Sequence, residues 1–497
     1  MKILLVGDMN SIHIYNFVNE TLLKMNTEKI VIWGINSQAE KEIEESNYLF
    51  YKKNNISLII CESHNPDKFY DLMKGYEQIK AFGTFDVCHL HFLAYSIVTI
   101  GLLVKSICKK IISNYWGSDW FRSNDTLKQY QKYLLELSDY IVADSPQICE
   151  QVKEYYQENF EEKIKYIRFK TPVISQMQSG EINTNAKNAF MEKYGIPTDR
   201  ILVTCGYCAS QAHNHKGIIK AIESLTEEDR NKLFMIIPMT YGKQPEYMKD
   251  IKQRLKEAVS DGVIIENYMD FKEVALLRFV TDIFINIEPT DAYSSTMVEY
   301  AYCNKITIIG SWLDYSELEK KGAYFEKVDK AEELTTVLKK ILDNFEDTQG
   351  MFLDNKVASE KFQEDQAGNK LWEKLYYEKP LKDRQMVFSE DIRNRVAQWI
   401  LKNNNRNIGI YGMGILGGIV YKEIANVMGD EHIYTFDKNL KNISWYSGTV
   451  LKPEMMEEKE MSVVIITPGS CMDQIKASYI GKIEATVLTF VEWLEEL

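Results

Sequence analysis

The chain is short of several things, and each shortage removes a class of protein. Basic charge is one: 59 Lys and Arg stand against 72 Asp and Glu, for a net charge of −13. Nucleic acid is therefore not expected as the main partner, because binding its backbone needs a basic surface; a local basic patch can still hold one nucleotide. Long apolar runs are also lacking. The longest covers residues 97–104, far below what spans a bilayer. Ile3-Leu4-Leu5-Val6 before Gly7-Asp8 is too short for a secretory leader and reads as a buried first strand. The eight cysteines are scattered along the chain and form no disulfide framework, which suits reduced thiols in a cytoplasmic protein. Repeats and low-complexity tracts are absent as well.

What is present is an alternation of β-branched strands and helical stretches, the pattern of doubly wound parallel sheets. With 497 residues, 45% of them apolar, the chain is long enough for about three domains. Strands are expected near residues 2–6, 30–33, 57–61, 87–90, 111–115, 140–143 and 164–168, within a first domain of residues 1–176. Residues 177–188, rich in Gln, Ser, Gly and Asn, read as a linker. A second set follows near 201–205, 234–237, 263–265, 283–287 and 306–309, and residues 360–377 read as helix, giving a domain of residues 189–380. After a break at 380–389, a third α/β unit spans residues 390–497.

The chemistry-bearing stretch is Asp291-Ala-Tyr-Ser-Ser-Thr-Met-Val-Glu299, which follows an apolar strand. A strand that turns into a helix presents backbone N–H groups to an anion. Phosphate is expected at the helix start, Ser294 and Ser295. Glu299, further along, suits sugar hydroxyls. The plainer reading is an N-cap at Asp291 or Ser294 with Glu299 on the surface. Three other segments follow strands, Gly7-Asp8-Met9-Asn10-Ser11-Ile12-His13, Trp116-Gly117-Ser118-Asp119 and the loop Gly206 to Gly217 with Lys216, and a fourth, Asp86-Val87-Cys88-His89-Leu90-His91, is a strand ending in two His. Each has a structural alternative, such as a cap, a buried strand face or a tight turn. In the His89/His91 pair, only His91 is expected to reach an open edge. A lysine at a helix start is electrostatically disfavoured unless an anion lies near. Zinc is disfavoured, since the histidines lack further ligands at recognised spacing.

Taken in order, these segments resemble the retaining GT-B glycosyltransferases of family four, whose acidic signature has two Glu flanking seven residues; here the first is Asp291. The resemblance implies two Rossmann-like lobes around a cleft, with the last helix returning to the first lobe. It implies transfer of a sugar from a nucleoside diphosphate donor to an acceptor hydroxyl with retention, without a metal or required cofactor, in bacterial surface glycan synthesis. Lys216 and the helix start would meet the leaving phosphate, and Glu299 would hold the ribose. Asp291 would contact the sugar. Gly206, Tyr241 and Tyr268 would line the donor pocket. Ser11, His13, His91 and Asp119 would shape the acceptor side. Two departures stand out: Trp116 replaces the usual His, and Tyr207 the usual Arg.

The third unit carries Gly412-Met-Gly414-Ile-Leu-Gly417 between strand and helix, with Asp437 ending the next strand, the dinucleotide-binding fingerprint in its proper context. NAD or another nucleotide is the candidate ligand there, although a binding or assembly role is preferred to hydride chemistry. The segment 463–470 reads as strand and turn without a catalytic acid. Two rival classes remain: an NAD-dependent oxidoreductase acting on a sugar nucleotide, and a non-catalytic nucleotide-sugar binder. Lys105, Lys109 and Lys110 lie on the run 97–112 and offer contact with an acidic membrane face. A helix packed on the first sheet with a solvated basic end is the favoured reading.

Overall fold

The computed structural model describes residues 1–34, 45–60, 68–104, 107–156, 160, 162–258, 261–366, 369–379, 388–403, 407–438, 448–468 and 471–497. Among these residues the strands form three sheets, every pairing parallel. The first contains β1 (Lys2–Gly7), β2 (Lys29–Gly34), β3 (Ser57–Ile60), β4 (Phe85–His91), β5 (Cys108–Tyr115), β6 (Tyr140–Ala143) and β7 (Ile164–Tyr166), in the order β3-β2-β1-β4-β5-β6-β7. The second contains β8 (Ile201–Cys205), β9 (Leu233–Pro238), β10 (Gly262–Ile265), β11 (Ile283–Asn286), β12 (Ile306–Gly310) and β13 (Glu326–Val328), in the order β10-β9-β8-β11-β12-β13. The third contains β14 (Ile408–Tyr411), β15 (Ile433–Phe436), β16 (Val450–Leu451), β17 (Val463–Ile466) and β18 (Thr486–Thr489), in the order β16-β15-β14-β17-β18. The expected α/β class with three Rossmann-like sheets is the one observed.

Central strands are covered by helices on both faces, which is why they read as unbroken apolar runs. Ile3, Leu4, Leu5 and Val6 of β1 are fully buried, as are Met235, Ile236 and Ile237 of β9. The chain forms two compact units. Unit 1 comprises Met1–Tyr166 and Trp372–Leu497, and unit 2 comprises Ile167–Leu371. The chain thus leaves unit 1 after β7 and returns to it at Trp372. The return is made by the helix Asn369–Tyr377, whose Trp372 and Tyr376 are buried against Phe17 and His89.

Two expectations are corrected. Residues 177–188 are no linker: the helix Pro172–Gln178 enters the segment, and the helix Thr184–Tyr194 begins within it. Pro172 suits a first helical position, Asn183 caps the second helix by accepting from Ala186 N at 3.0 Å, and Phe190 buries its apolar side. The basic run 97–112 is not one surface face either. It divides into the helix Tyr95–Val104 and β5; Lys110 is 2% exposed, and Lys109 pairs with Asp86 at 2.8 Å. Cys61, Lys105, residues 380–387, Gly469 and Ser470 lie outside the described residues. Among the described residues no helix is long and apolar enough to cross a membrane.

Candidate functional site

In unit 2 the strand order reverses between β8 and β11, and open parallel sheets place ligands beyond the carboxyl ends at such a reversal. Gly206, just past β8, has φ +68°; a Cβ there would meet His215 Nε2 at 2.5 Å and His213 Cγ at 3.0 Å. Only glycine lets the loop pass so close to both rings. The loop then turns through Asn214, at φ +53°, into the helix His215–Glu223.

Asp291 lies in the turn after β11. Its Oδ1 accepts from Ser294 N at 3.0 Å; its Oδ2 accepts from Asn286 Nδ2 at 2.9 Å and from the Tyr315 hydroxyl. Burial, reinforced by the charge of Glu288, raises its pKa to about 6, and the donors do not fully offset this. A carboxyl so poised at a strand-end reversal is a functional-site signal. Glu288 itself is 5% exposed and lies 2.7 Å from His213 Nδ1. Burial alone would lower the His213 pKa, but Cys208 and Glu288 outweigh it and raise the value to about 9. Tyr207 has its hydroxyl pKa pushed well up by burial and then by the charges of Glu288 and Asp291.

Ser294 caps the helix Ser295–Tyr302, accepting from Thr296 N at 3.2 Å, while Ser295 is exposed at its start. Tyr293 precedes the cap at φ +68°, a costly conformation for a bulky residue. Its buried hydroxyl accepts from Leu318 N at 2.7 Å, which holds it there. Glu299, for which the sequence suggests a ribose contact, is 4% exposed and has both oxygens engaged. Oε2 accepts from Arg278 Nε at 3.0 Å and Oε1 from the Thr171 hydroxyl at 2.7 Å. Arg278 also donates to the Tyr300 hydroxyl at 3.2 Å and to Thr296 Oγ1 at 3.3 Å. A sugar hydroxyl there would have to share the remaining lone pairs. Lys216 is half-exposed on the first turn of its helix, with Nζ 2.5 Å from Asp250 and over the Tyr247 ring. The anion its position calls for is supplied by the protein. Tyr241 and Tyr268 follow β9 and β10 and are exposed.

Unit 1 gathers a second set of the sequence-selected residues at the carboxyl edge of its sheet. Ser11 Oγ caps the first helix by accepting from His13 N at 3.2 Å. The exposed His13 ring lies 4.7 Å from the Trp116 ring. His91 approaches the same ring at 5.5 Å, but it is fully buried, with its ring 3.9 Å from that of His89. Residues two apart on a strand share a face, so both histidines point into the core rather than one toward an open edge. Burial lowers both pKa values, that of His89 to about 3. Asp119 also turns inward. Oδ1 accepts from Trp116 N and Gly117 N, each at 2.9 Å, and Oδ2 from Leu93 N at 2.8 Å. It clamps the loops after β4 and β5 together, and burial still raises its pKa to about 6.

The third sheet keeps the geometry of its glycine pattern. Gly412 has φ +96°, and a Cβ there would strike Pro468 at 2.5 Å. At Gly417 it would come within 1.9 Å of Gly412 O, whereas at Gly414 it would meet nothing within 4 Å. Gly414 starts the helix Ile415–Met428, and Asp437 Oδ2 accepts from Met413 N at 2.7 Å.

No protein-family model matches the chain, and no curated protein matches it in sequence. Solved structures do match. Anabaena HepE in complex with UDP and glucose aligns with a TM-score of 0.59 at 10% identity, over 76% of this chain and 98% of its own. Sucrose-phosphate synthase from Thermosynechococcus elongatus gives 0.59 at 11%, over 76% and 99%. WaaG, a glycosyltransferase involved in lipopolysaccharide biosynthesis, gives 0.53 at 12%, over 76% and 100%. These neighbours are GT-B glycosyltransferases. At such identities the likeness shows the fold, and that is the GT-B fold.

Several residues of the unit 2 site escape a reading of the sequence. Arg278 and Thr171, the partners of Glu299, come from other elements, and Tyr315 reaches Asp291 from beyond β12. Glu288 had a usable signal: an acidic residue just past a buried strand at a sheet's ligand edge.

Proposed function

We propose that the chain is a glycosyltransferase that moves a sugar from a nucleoside diphosphate sugar to an acceptor hydroxyl, with retention and without a metal, in bacterial surface glycan synthesis. The observation that carries this reading is Asp291, a carboxyl raised to about 6 at the β8/β11 reversal of a GT-B fold. The neighbour bound to UDP and glucose supports a donor of that class. In this reading the amides at the start of the helix Ser295–Tyr302 meet the leaving phosphate, joined by Lys216 once its ammonium leaves Asp250. Asp291 faces the sugar, Glu299 lends a lone pair to the ribose, and Tyr241 and Tyr268 lie along the base. Ser11 and His13 touch the acceptor; His91 and Asp119 act behind them by fixing the Trp116 loop.

The test is a thermal-shift panel with UDP, GDP and dTDP, followed by turnover of labelled donors with a lipid-linked acceptor extract. A shift with one nucleotide, and transfer that falls by about a hundredfold in Asp291→Asn, are the expected results. No shift with any nucleotide and no release of nucleoside diphosphate would refute the reading. A second reading is favoured by the Gly417 contact: a dinucleotide held by the third sheet. Alanine at Gly414 meets no protein atom, so Gly414→Ala should abolish NAD stabilisation while leaving the fold intact. Absence of any NAD shift in the parent chain would dismiss it.

A further inference from the structure

A thiol becomes a strong nucleophile when a base stands within hydrogen-bond reach and a third group orients that base. Unit 2 contains such a set, and the transfer reaction proposed above does not use it. Cys208 Sγ lies 3.1 Å from His213 Nε2, and His213 Nδ1 lies 2.7 Å from Glu288 Oε1. The three side chains are 8%, 3% and 5% exposed, so only small reagents can arrive. A second observation points to a small polar ligand. His215 is fully buried, with its ring 5.5 Å from that of His213, and its Nδ1 is engaged by the Tyr247 hydroxyl. Among the described residues its Nε2 has no hydrogen-bond partner, and it points into the same loop at Gly206.

We propose that Cys208 is a modification site, an activated thiol that attacks hydroperoxides and is thereby converted to a sulfenic acid. His213 Nε2 takes the thiol proton while Glu288 steadies the imidazolium. The thiolate attacks the nearer peroxide oxygen, so that the S–O bond forms and the O–O bond breaks. The departing hydroxide takes the proton back from His213 and leaves as water. The sulfur gives up two electrons, and the peroxide accepts them. The neighbouring Cys205 lacks this help, and burial pushes its thiol up to about 12.

The experiment treats the full chain with hydrogen peroxide from pH 6 to 8, traps sulfenic acid with dimedone and quantifies each cysteine by mass spectrometry. Cys471 is the control because it is more exposed than Cys208. If exposure governed the reaction, Cys471 would be faster; the proposal requires Cys208 to be trapped at least about tenfold faster at pH 6.5. His213→Asn should remove that lead while circular dichroism is unchanged. Should this variant fail to fold, the wild-type profile decides. The Cys208 rate must stay nearly flat with pH, whereas an ordinary thiol gains about tenfold per unit below its pKa. A Cys208 rate that is below that of Cys471, or that climbs in parallel with it, overturns the proposal. Neither readout depends on nucleotide binding, so it stands or falls separately from the transferase reading.

Discussion

Asp291 changes charge near pH 6, inside the range where enzymes are commonly assayed. Its folded pKa lies above the ordinary value of 3.8, so the folded chain binds this proton more tightly than the unfolded chain does. On the linkage argument its contribution to stability grows as pH falls through 6 toward 4 and shrinks as pH rises. Activity that needs the carboxylate should move the other way. Between pH 7.5 and 5, transfer is expected to fall about tenfold with no loss of melting temperature from this group. Asp291→Asn should be slow and flat over the same interval. A rate profile measured beside melting curves checks this, and an acid limb that survives in Asp291→Asn would assign the titration elsewhere. At this scale the sequence is readable where contacts are local, as in the Ser294 cap. It is misleading where the partner is remote. Asp119 looks like an open carboxylate until Leu93 N, from another loop, is seen to fill it.

Among the elements, the helix Asn369–Tyr377 is held by an unusual fastening. Lys110 of β5 is buried, and its Nζ donates to the carbonyls of Leu375, Tyr376 and Glu378, each at 2.7 Å. The last carbonyls of a helix have no partner within it, and a cation there also suits the helix dipole. Lys110→Met keeps length and apolar bulk but leaves three acceptors unpaired, which should cost about 2–4 kcal/mol. Hydrogen exchange should show faster opening of residues 372–377, with the amides of β8 and β11 unchanged. Strands are the elements most legible in the sequence: 140–143 and 201–205 are observed with the bounds expected. Their apolar runs follow directly from burial on both faces. β13 is not legible because Glu326-Lys327-Val328 is a three-residue edge strand with charge on it. The helices that overlap 177–188 are hidden in the sequence because the polar composition of that segment masks the asparagine cap at Asn183.

For the molecule as a whole, the third sheet shares a compact unit with the first. Thr126 Oγ1 donates to Asp473 Oδ2 at 2.7 Å, and the buried Tyr130 ring lies 5.5 Å from that of Phe490. Deleting residues 388–497 would uncover Tyr130 and the helix Asp125–Leu137 that carries it. Calorimetry is expected to show the unit 1 transition lowered by about 2–4 °C for each kcal/mol lost, and the unit 2 transition in place. An unchanged unit 1 transition would mean that the third sheet is an independent module. The GT-B fold is legible in the sequence because the order of motifs along a chain survives loop changes; how the sheets share units is a property of surfaces, which motifs do not record.

The return of the chain at Trp372 has a consequence for biosynthesis. When β7 leaves the ribosome, the first sheet lacks the helix that covers Phe17 and His89, and roughly two hundred residues of unit 2 must still be made. At about 5–20 residues per second this is a delay on the order of 10–40 s, during which the later-born half can finish first. Pausing translation just before residue 372 should therefore yield a nascent chain with a protease-resistant middle and a digestible beginning.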